Sequence, residues 1–308
     1  MTAFALGVGS GKTRAVCEAL PHIPIDQARG IEPRKSRAVI HRGELAQVED
    51  CFLAQGTCYG SEYCPDFQLV LPYLGICTFS MSAGEWLLDA NRSLLLAPGW
   101  SSFGVSDSCV TGYAATLLKF SRATIDQVAC CCGRGSLSRL GSRSAPSTMR
   151  LRLLTQQLLR IGDEPDLLRR DECIVRAIIE AVGGTPQKRV VRSKAVDRAK
   201  ELLHARAGER LRLDEIALEV GLTSVYLTQQ FTRCEGIPLY RYQLQLRLTR
   251  ALLELPRCED ITNLALDLGF SSHSHFTSAF REAFGTTPSK YRLTIGALHP
   301  RSRAVGST

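Results

Sequence analysis

Hydrophobic residues between about 41 and 125 fall in short runs that glycine and proline interrupt. Five of these runs have the length of strands: FQLVLPYLG, GICTFSM, EWLLD, SLLLAPG and YAATLLKF. Short apolar runs between turn-forming residues are typical of the strands of a β-sandwich or a small barrel. The pattern therefore predicts a β-rich unit, preceded by residues 1–40, which lack any clear period and are predicted to be a loose arm.

The hydrophobic period changes from that of strands to that of helices after residue 147. Residues 126–146 are rich in Gly, Ser and Arg and are predicted to be a loop. Apolar residues spaced three or four apart share one face of a helix. Residues with this spacing are Leu151, Leu154, Leu158 and Ile161, then Ile174, Ala177, Ile178 and Ala181. The pattern predicts a pair of helices within 148–182, which completes a domain spanning 41–182.

The segment GGTPQKRVVRSK, residues 183–194, has little to bury and is predicted to be a linker. After Ser193 the pattern is helical almost to the end of the chain, so residues 195–293 are predicted to form an all-α domain followed by a tail, 294–308. Domain boundaries fall where few contacts cross. We therefore expect the all-α domain to fold without the rest of the chain.

The helical part contains an internal repeat, which is the most informative feature of the sequence. LRLDEIALEVGLTSVYLTQQFTRCEG matches CEDITNLALDLGFSSHSHFTSAFREAFG with an offset of 48 residues before the turn and 49 after it. The matched pairs are Ala217 and Ala265, Gly221 and Gly269, Leu222 and Phe270, Leu227 and Phe276, Phe231 and Phe280, and Gly236 and Gly285. The repeat predicts two equivalent helix pairs.

Each copy has the residues that a helix-turn-helix unit requires. The small Ala allows the two helices to approach, and the Gly after it can end the first helix with a positive φ. Thr223 and Ser272 stand where a side chain can cap the second helix. Between the copies, a run starting near Pro238 predicts a helix of about 17 residues and about 25 Å. A spacer of that length can place the two second helices about one DNA turn apart.

These residues resemble the DNA-binding domain of the AraC/XylS family of bacterial transcription regulators. Arg247, Leu248 and Ala251 form the RLxxA motif of the linking helix, and residues 269–292 are similar to the family signature over nearly its whole length. The resemblance covers residues 195–293, about a third of the chain. It implies an α+β protein, with an N-terminal cupin-like β-barrel, a helical dimerisation segment and a C-terminal all-α double helix-turn-helix domain.

The resemblance implies that the second helix of each unit enters the major groove of double-stranded DNA. Counted from the caps, the outward positions predicted to bind DNA are Val225, Thr228 and Gln229 in the first helix and His273, Ser274, Thr277 and Ser278 in the second. Gln229 can pair with adenine, and Val225 can contact a thymine methyl group. Arg281, further along, is expected to bind phosphate. His275 is expected to have a structural or phosphate-binding role.

We therefore predict a sequence-specific DNA-binding transcription regulator, expected to be an activator, that responds to a small-molecule effector of unknown identity. The resemblance implies contact with RNA polymerase and a homodimer, for which residues 148–182 could supply the interface or could instead pack on their own barrel. No enzymatic activity, metal or other cofactor is expected. Residues 42–125 contain no His that could serve a metallo-cupin enzyme.

Composition adds little to this prediction. The net charge is +8, but residues 195–293 contain 13 Lys or Arg and 12 Asp or Glu, a net charge of +1. The 12 cysteines, without a recognisable signal peptide, indicate reduced thiols in the cytoplasm. No apolar run is long enough to cross a bilayer. We expect a cytoplasmic protein without a membrane partner.

Two features favour other classes of protein. GVGSGKT, residues 7–13, is similar to a P-loop, but Leu6 stands where its first glycine should be and no hydrophobic strand precedes it, which disfavours an NTPase. Cys130, Cys131 and Cys132 lie close to Arg134, which can favour a thiolate. The alternative is a thiol- or soft-metal-sensing regulator with the same DNA-binding domain, although adjacent cysteines do not have the spacing of zinc ligands.

Overall fold

The computed structural model describes residues 35–54, 58–81, 84–105, 112–131, 141–164, 166–183 and 193–298. The strands in these ranges are β1 (Lys35–Arg42), β2 (Gln47–Leu53), β3 (Cys58–Cys64), β4 (Phe67–Leu74), β5 (Ile76–Met81), β6 (Gly84–Asp89), β7 (Arg92–Leu96), β8 (Trp100–Val105), β9 (Tyr113–Phe120) and β10 (Arg143–Pro146). The helices are α1 (Arg122–Cys131), α2 (Met149–Leu158), α3 (Leu167–Gly183), α4 (Lys194–Ala205), α5 (Leu213–Glu219), α6 (Ser224–Glu235), α7 (Leu239–Glu254), α8 (Ile261–Asp267), α9 (His273–Phe284) and α10 (Pro288–Leu298). The P-loop-like segment, Cys132 and most of the predicted arm, linker and tail lie outside the described residues.

The N-terminal strands form two antiparallel sheets, which confirms the β-rich region expected from the sequence. The larger sheet has the order β1-β2-β9-β4-β7-β10, and the smaller has the order β3-β8-β5-β6. Residues from both sheets form one apolar cluster, which includes Val70, Cys77, Leu88, Leu94, Tyr113 and Leu117. In β9, Leu117 belongs to this cluster while Leu118 belongs to the core beneath the helices. This strand is buried on both faces, which explains its continuous hydrophobic run.

Three helices pack with the larger sheet and form the core on its other face. Ile125 of α1, Leu151 and Leu154 of α2, and Ile174 and Ile178 of α3 share one buried cluster with residues of β2, β4, β7 and β9. Thr148 caps α2, since its hydroxyl accepts a hydrogen bond of 3.0 Å from the Leu151 N–H. The helix pair predicted from the apolar period is confirmed in α2 and α3.

Residues 126–146 are not the continuous loop that the sequence predicted. The helix α1 extends to Cys131, because Ile125, Val128 and Ala129 have helical spacing and are buried in the core. At the other end of the segment, β10 pairs with β7 and forms an edge of the larger sheet, with Ala145 opposite Ser93. That pairing joins residues about 50 apart in sequence, so no local pattern indicates it.

The first strand begins six residues before the domain start expected at residue 41. In β1, Ser36 lies opposite Phe52 and Ala38 lies opposite Asp50 of β2. The charged residues near both ends of KSRAVIHR suit an edge strand, which has a pairing partner on only one side. Residues 35–40 therefore belong to the larger sheet and not to a loose arm.

The C-terminal helices surround two apolar cores that share α7. The first core includes Leu203 of α4, Ile216 of α5, Phe231 of α6, and Tyr242 and Leu246 of α7. The second core includes Leu252 of α7, Leu264 of α8, Phe276 and Phe280 of α9, and Tyr291 of α10. Because α7 contributes side chains to both cores, it joins two similar helical units into one body.

Candidate nucleic-acid interface

The first helix-turn-helix unit consists of α5, a short turn and α6. Gly221 in the turn has φ +71°, a conformation that favours glycine. The Thr223 hydroxyl accepts a hydrogen bond of 3.3 Å from the Tyr226 N–H and so caps α6. Leu227 and Phe231 on the inner face of α6 are fully buried. The cap, the turn and the inner face confirm the parts predicted for this copy of the repeat.

The second unit, α8 and α9, repeats this arrangement. Gly269 has φ +80°, and the Ser272 hydroxyl accepts a hydrogen bond of 3.1 Å from the His275 N–H. Phe276 and Phe280 are fully buried at the positions that correspond to Leu227 and Phe231. The two second helices therefore have matched caps, matched inner faces and matched outer faces.

The helix α7 links the two units as a rigid spacer of 16 residues, or about 24 Å. It begins directly after Pro238, whose ring suits the start of a helix. Tyr242 and Leu246 pack in the first core, and Ala251 and Leu252 pack in the second. The spacer is thus held at both ends by packed side chains.

Most of the predicted DNA-binding side chains lie on the outer faces of α6 and α9. Val225 is 69% exposed despite its apolar side chain. The other exposed residues of the predicted set are Gln229, His273, Ser274, Ser278 and Arg281. These residues are available for contact with a large partner.

The hydroxyl groups of the two predicted threonines, Thr228 and Thr277, are less accessible than the sequence predicted. Thr228 is half-buried, and its hydroxyl donates a hydrogen bond of 2.8 Å to the Ser224 carbonyl within the helix. The Thr277 hydroxyl is buried and makes no hydrogen bond within the described part of the chain. Both side chains are half-buried and lie at the border between the outer and inner faces of their helices.

Tyr226 is an outward residue that the sequence analysis did not select. Its side chain is 49% exposed and follows Val225 on the first turn of α6. The repeat aligns it with His275, whose Nδ1 lies 3.0 Å from the Ser271 hydroxyl and whose ring meets Phe270 edge-on at 5.4 Å. The expected structural role of His275 therefore has direct contacts in support, while Tyr226 remains free to contact a partner.

The turn between β6 and β7 enters the first helical core. Ala90 in this turn packs with residues of α4, α5 and α6. The Asp89 carboxylate before it lies 2.9 Å from the Lys200 ammonium of α4, and both side chains are fully buried. Burial opposes ionisation of Asp89, but Lys200, His204 and the Tyr242 hydroxyl together hold the pKa of its carboxyl well below the usual value. Asp89 is therefore a buried anion.

The same buried charges also contact the end of α6. We call α6 and α9, the second helices of the two units, the recognition helices. Glu235, the last residue of α6, lies 3.3 Å from the Lys200 ammonium and 3.1 Å from the Arg92 guanidinium of β7. At a second place, Arg152 of α2 donates to the Gln245 carbonyl of α7 at 3.1 Å. The expectation that few contacts join the two halves of the chain is wrong, because buried polar groups bridge them at two places.

Within the ranges that the structure describes, no group of three or more His, Cys, Asp or Glu residues could hold a metal ion. Burial raises the pKa of the Cys173 thiol to about 12, which disfavours its thiolate. Cys130 lies exposed in α1. Among the described helices, none has the length and apolar composition to cross a membrane.

Two capped helix pairs joined by a rigid spacer define a helix-turn-helix DNA-binding protein. Residues 216–294 match a family described as a helix-turn-helix domain. The chain is 37% identical over 83 residues to the regulatory protein SoxS of Salmonella typhimurium, a match that covers 27% of this chain and 78% of SoxS. The chain belongs to the AraC/XylS family of transcription regulators.

Two further proteins are similar to this chain over about a third of its length. The Msm operon regulatory protein of Streptococcus mutans is 34% identical over 102 residues, which is 32% of this chain and 36% of that protein. A crystal structure of an AraC-type transcriptional regulator from Chromobacterium violaceum is 35% identical, with a TM-score of 0.31, over 32% of this chain and 90% of that one. The chain thus matches about a third of the Msm regulator's length.

Proposed function

We propose that this chain is a sequence-specific DNA-binding transcription activator that a small-molecule effector controls. In this proposal residues 195–293 bind double-stranded DNA, residues 41–182 form a cupin-like sensing and dimerisation domain, and the activator contacts RNA polymerase in the cytoplasm. The protein acts by binding and not by catalysis. The names of its relatives, which include the transcriptional activators AarP and VirF, support activation.

The matched outer faces of α6 and α9 carry this proposal. Both helices are capped at the N-terminus, buried along one face and exposed along the other. Their exposed residues combine hydrogen-bonding side chains with an apolar one, Val225, as base readout requires. A spacer of about 24 Å suits two helices in successive turns of the major groove.

Selection of binding sites from random double-stranded DNA tests this function directly. The full chain should enrich a site with two conserved segments about 10 base pairs apart, one for each recognition helix. Failure to enrich any sequence at moderate salt, with a protein shown to be folded, would contradict sequence-specific binding.

Gln229 is expected to read a base pair in the selected site. Its amide can donate to N7 and accept from the N6 amino group of adenine, a pair worth about 1–3 kcal/mol of discrimination. Gln229→Ala should relax the preference at one base pair of one segment, measured by repeating the selection with the variant. Ser278 occupies the equivalent position in α9, so Ser278→Ala should affect the other segment only.

Arg281→Ala is the matched control because Arg281 is exposed further along α9 and is expected to bind phosphate. Its loss should weaken binding to all sequences and reduce the slope of log K against log salt by about 0.9. An unchanged consensus for both Gln229→Ala and Ser278→Ala would show that the outer faces of α6 and α9 do not contact bases.

Effector binding is proposed for the interior between the two sheets. The apolar cluster there contains the Tyr113 hydroxyl, which is buried and makes no hydrogen bond with a described residue. This interior lies close to the DNA-binding half, because the turn that connects β6 of the smaller sheet to β7 of the larger sheet contacts α4 and α6 through Asp89 and Arg92. A ligand that moved this turn would change the contacts that hold α6, the first recognition helix, in place.

Dimerisation is proposed through the exposed face of α3. Leu168 is 76% exposed and Ile179 is 36% exposed, and the half-buried Val175 lies seven residues after Leu168 on the same stripe. Arg176 and Glu172 flank this stripe with opposite charges. A second copy of α3 in antiparallel orientation would cover the apolar residues and pair these charges.

The double substitution Leu168→Glu and Ile179→Glu is expected to convert the dimer to a monomer. Carboxylates at both apolar positions would lose their hydration in the interface without a cationic partner. Analytical ultracentrifugation of the full chain measures the change in mass. Leu293→Glu, at a residue of α10 that is 67% exposed, should leave the dimer intact. A wild-type chain that is monomeric throughout the concentration range would rule out this interface.

A further inference from the structure

Two glycine backbones meet where the two helix-turn-helix units contact each other. A Cβ added to Gly208, in the loop between α4 and α5, would lie 2.5 Å from the carbonyl oxygen of Asp267 at the end of α8. A Cβ added to Gly269, in the α8–α9 turn, would lie 2.8 Å from the carbonyl oxygen of Gly208. Neither position has room for a side chain, so the loop of one unit and the turn of the other are in direct backbone contact.

Arg247 of the spacer helix α7 binds the α4–α5 loop where the two glycines meet. Its Nη2 donates to the Glu209 carbonyl at 2.6 Å, and its Nε donates to the Ala207 carbonyl at 3.3 Å. The same guanidinium packs on the turn, since a Cβ added to Gly269 would lie 2.7 Å from Nη2. The side chain is buried. We refer to Arg247, Gly208 and Gly269 together as the inter-unit staple.

A second arginine stabilises the same contact between the two units. Arg210, two residues after Gly208, donates through Nη2 to the Phe270 carbonyl at 2.9 Å. Phe270 is fully buried in the second core and lies two residues before the cap of α9. The loop of the first unit is therefore bonded to the backbone that leads into the second recognition helix.

The staple is absent from the first unit at the position that the repeat makes equivalent. Gly221 corresponds to Gly269 and has a similar φ of +71°, yet a Cβ added there would meet no atom within 4 Å. The positive φ is thus a property of each turn, whereas the close packing belongs only to Gly269. The close packing at Gly269 therefore stabilises the contact between the two units and is not a requirement of the turn itself.

We propose that the inter-unit staple fixes the orientation of α9 relative to α6 and thereby sets the spacing between the two DNA segments that the protein reads. This inference rests on the proposed function. Residues 255–260 connect α7 to α8, so the second unit could rotate about this connection if the spacer helix acted alone. One base pair of B-DNA corresponds to about 3.4 Å and about 35°. A movement of about this size by the second unit would therefore bring α9 to a neighbouring base pair.

The test compares binding to duplexes that differ only in the spacing of the two selected segments. The full-length wild type, bound to the selected site, should lose at least about tenfold in affinity when one base pair is inserted between the segments. Arg247→Met keeps the apolar stem but removes both hydrogen bonds to the loop. We expect this variant to bind the selected spacing more weakly and to discriminate between the two spacings severalfold less than wild type.

Two controls separate this role from a general loss of structure. Arg250→Met alters a partly exposed arginine on the same helix that pairs with Glu254, and it should retain the wild-type spacing preference. Gly221→Ala and Gly269→Ala impose a similar backbone conformation on alanine, but only Gly269→Ala should relax the spacing preference. Circular dichroism establishes that each variant is folded. If Arg247→Met does not fold, Arg210→Met provides the same comparison through the bond to Phe270.

The results that would overturn this inference differ from the result that would contradict the proposed function. A folded Arg247→Met with the wild-type ratio of affinities for the two spacings would overturn the inference, as would a wild type that binds its site equally well at both spacings. If the wild type selected no DNA sequence, the proposed function would fail, and the inference with it.

Discussion

Asp89→Ala is expected to destabilise the protein by about 3–5 kcal/mol, because it breaks a buried ion pair by removing only one of the two partners. Lys200 is fully buried, and Asp89 at 2.9 Å is the nearer of its two carboxylate partners. The Tyr242 hydroxyl, which donates to Asp89, also loses its acceptor. Urea unfolding of the full chain, followed by circular dichroism, measures the change.

The double variant Asp89→Ala with Lys200→Met distinguishes a buried ion pair from simple packing. Replacing both charges with apolar groups removes the buried cation together with its nearer partner, so much of the lost stability should return. Asp214→Ala, in an exposed pair with Arg212, should change stability by about 0.5 kcal/mol or less. Stability of Asp89→Ala close to that of wild type would show that Lys200 is solvated in solution.

The same network predicts a dependence on acid. The pKa of Asp89 in the folded protein lies well below its usual value, so the ionised carboxylate favours the folded state above the unfolded pKa of about 3.9. This contribution disappears as the pH falls through the folded pKa. Asp89→Ala should therefore lose less stability than wild type when the pH is lowered through this range.

Phe280→Ala is expected to cost about 3–5 kcal/mol and to unfold the second unit before the rest of the chain. Phe280 is fully buried and contacts the rings of Phe276, Phe284 and Tyr291 within 6 Å. Removal of the ring leaves a cavity that three aromatic neighbours cannot fill without changing rotamers. Thermal unfolding measures the loss of stability, and DNA binding should weaken for every sequence alike.

Leu293→Ala is the matched control for this substitution. Leu293 lies on α10 of the same unit, but its side chain is 67% exposed, so the change should be within about 0.5 kcal/mol. A Phe280→Ala variant as stable as wild type would mean that the inner and outer faces of α9 are assigned in the wrong phase. The predicted DNA-binding residues on α9 would then have to be reassigned as well.

The features that depend on neighbours within one or two helical turns could be predicted from the sequence. The caps Thr223 and Ser272 each bond to a backbone N–H three residues away. Gly221 and Gly269 have the positive φ that their turns require, and Phe231 and Phe280 lie on the buried faces that the helical period indicates. Because the repeat presents each of these features twice, a local pattern was sufficient to place the two recognition helices.

Only the tertiary structure revealed features that join distant parts of the chain. The strand β10 exists because β7, about 50 residues earlier, leaves an edge free for pairing. The hydrogen-bonding partners of Arg247 are carbonyl groups, which every residue possesses, so no side-chain pattern identifies them. Asp89 and Lys200 are 111 positions apart, and each alone resembles a surface charge. Long-range contacts of this kind depend on how helices and strands pack against each other. Local periodicity carries no information about that packing.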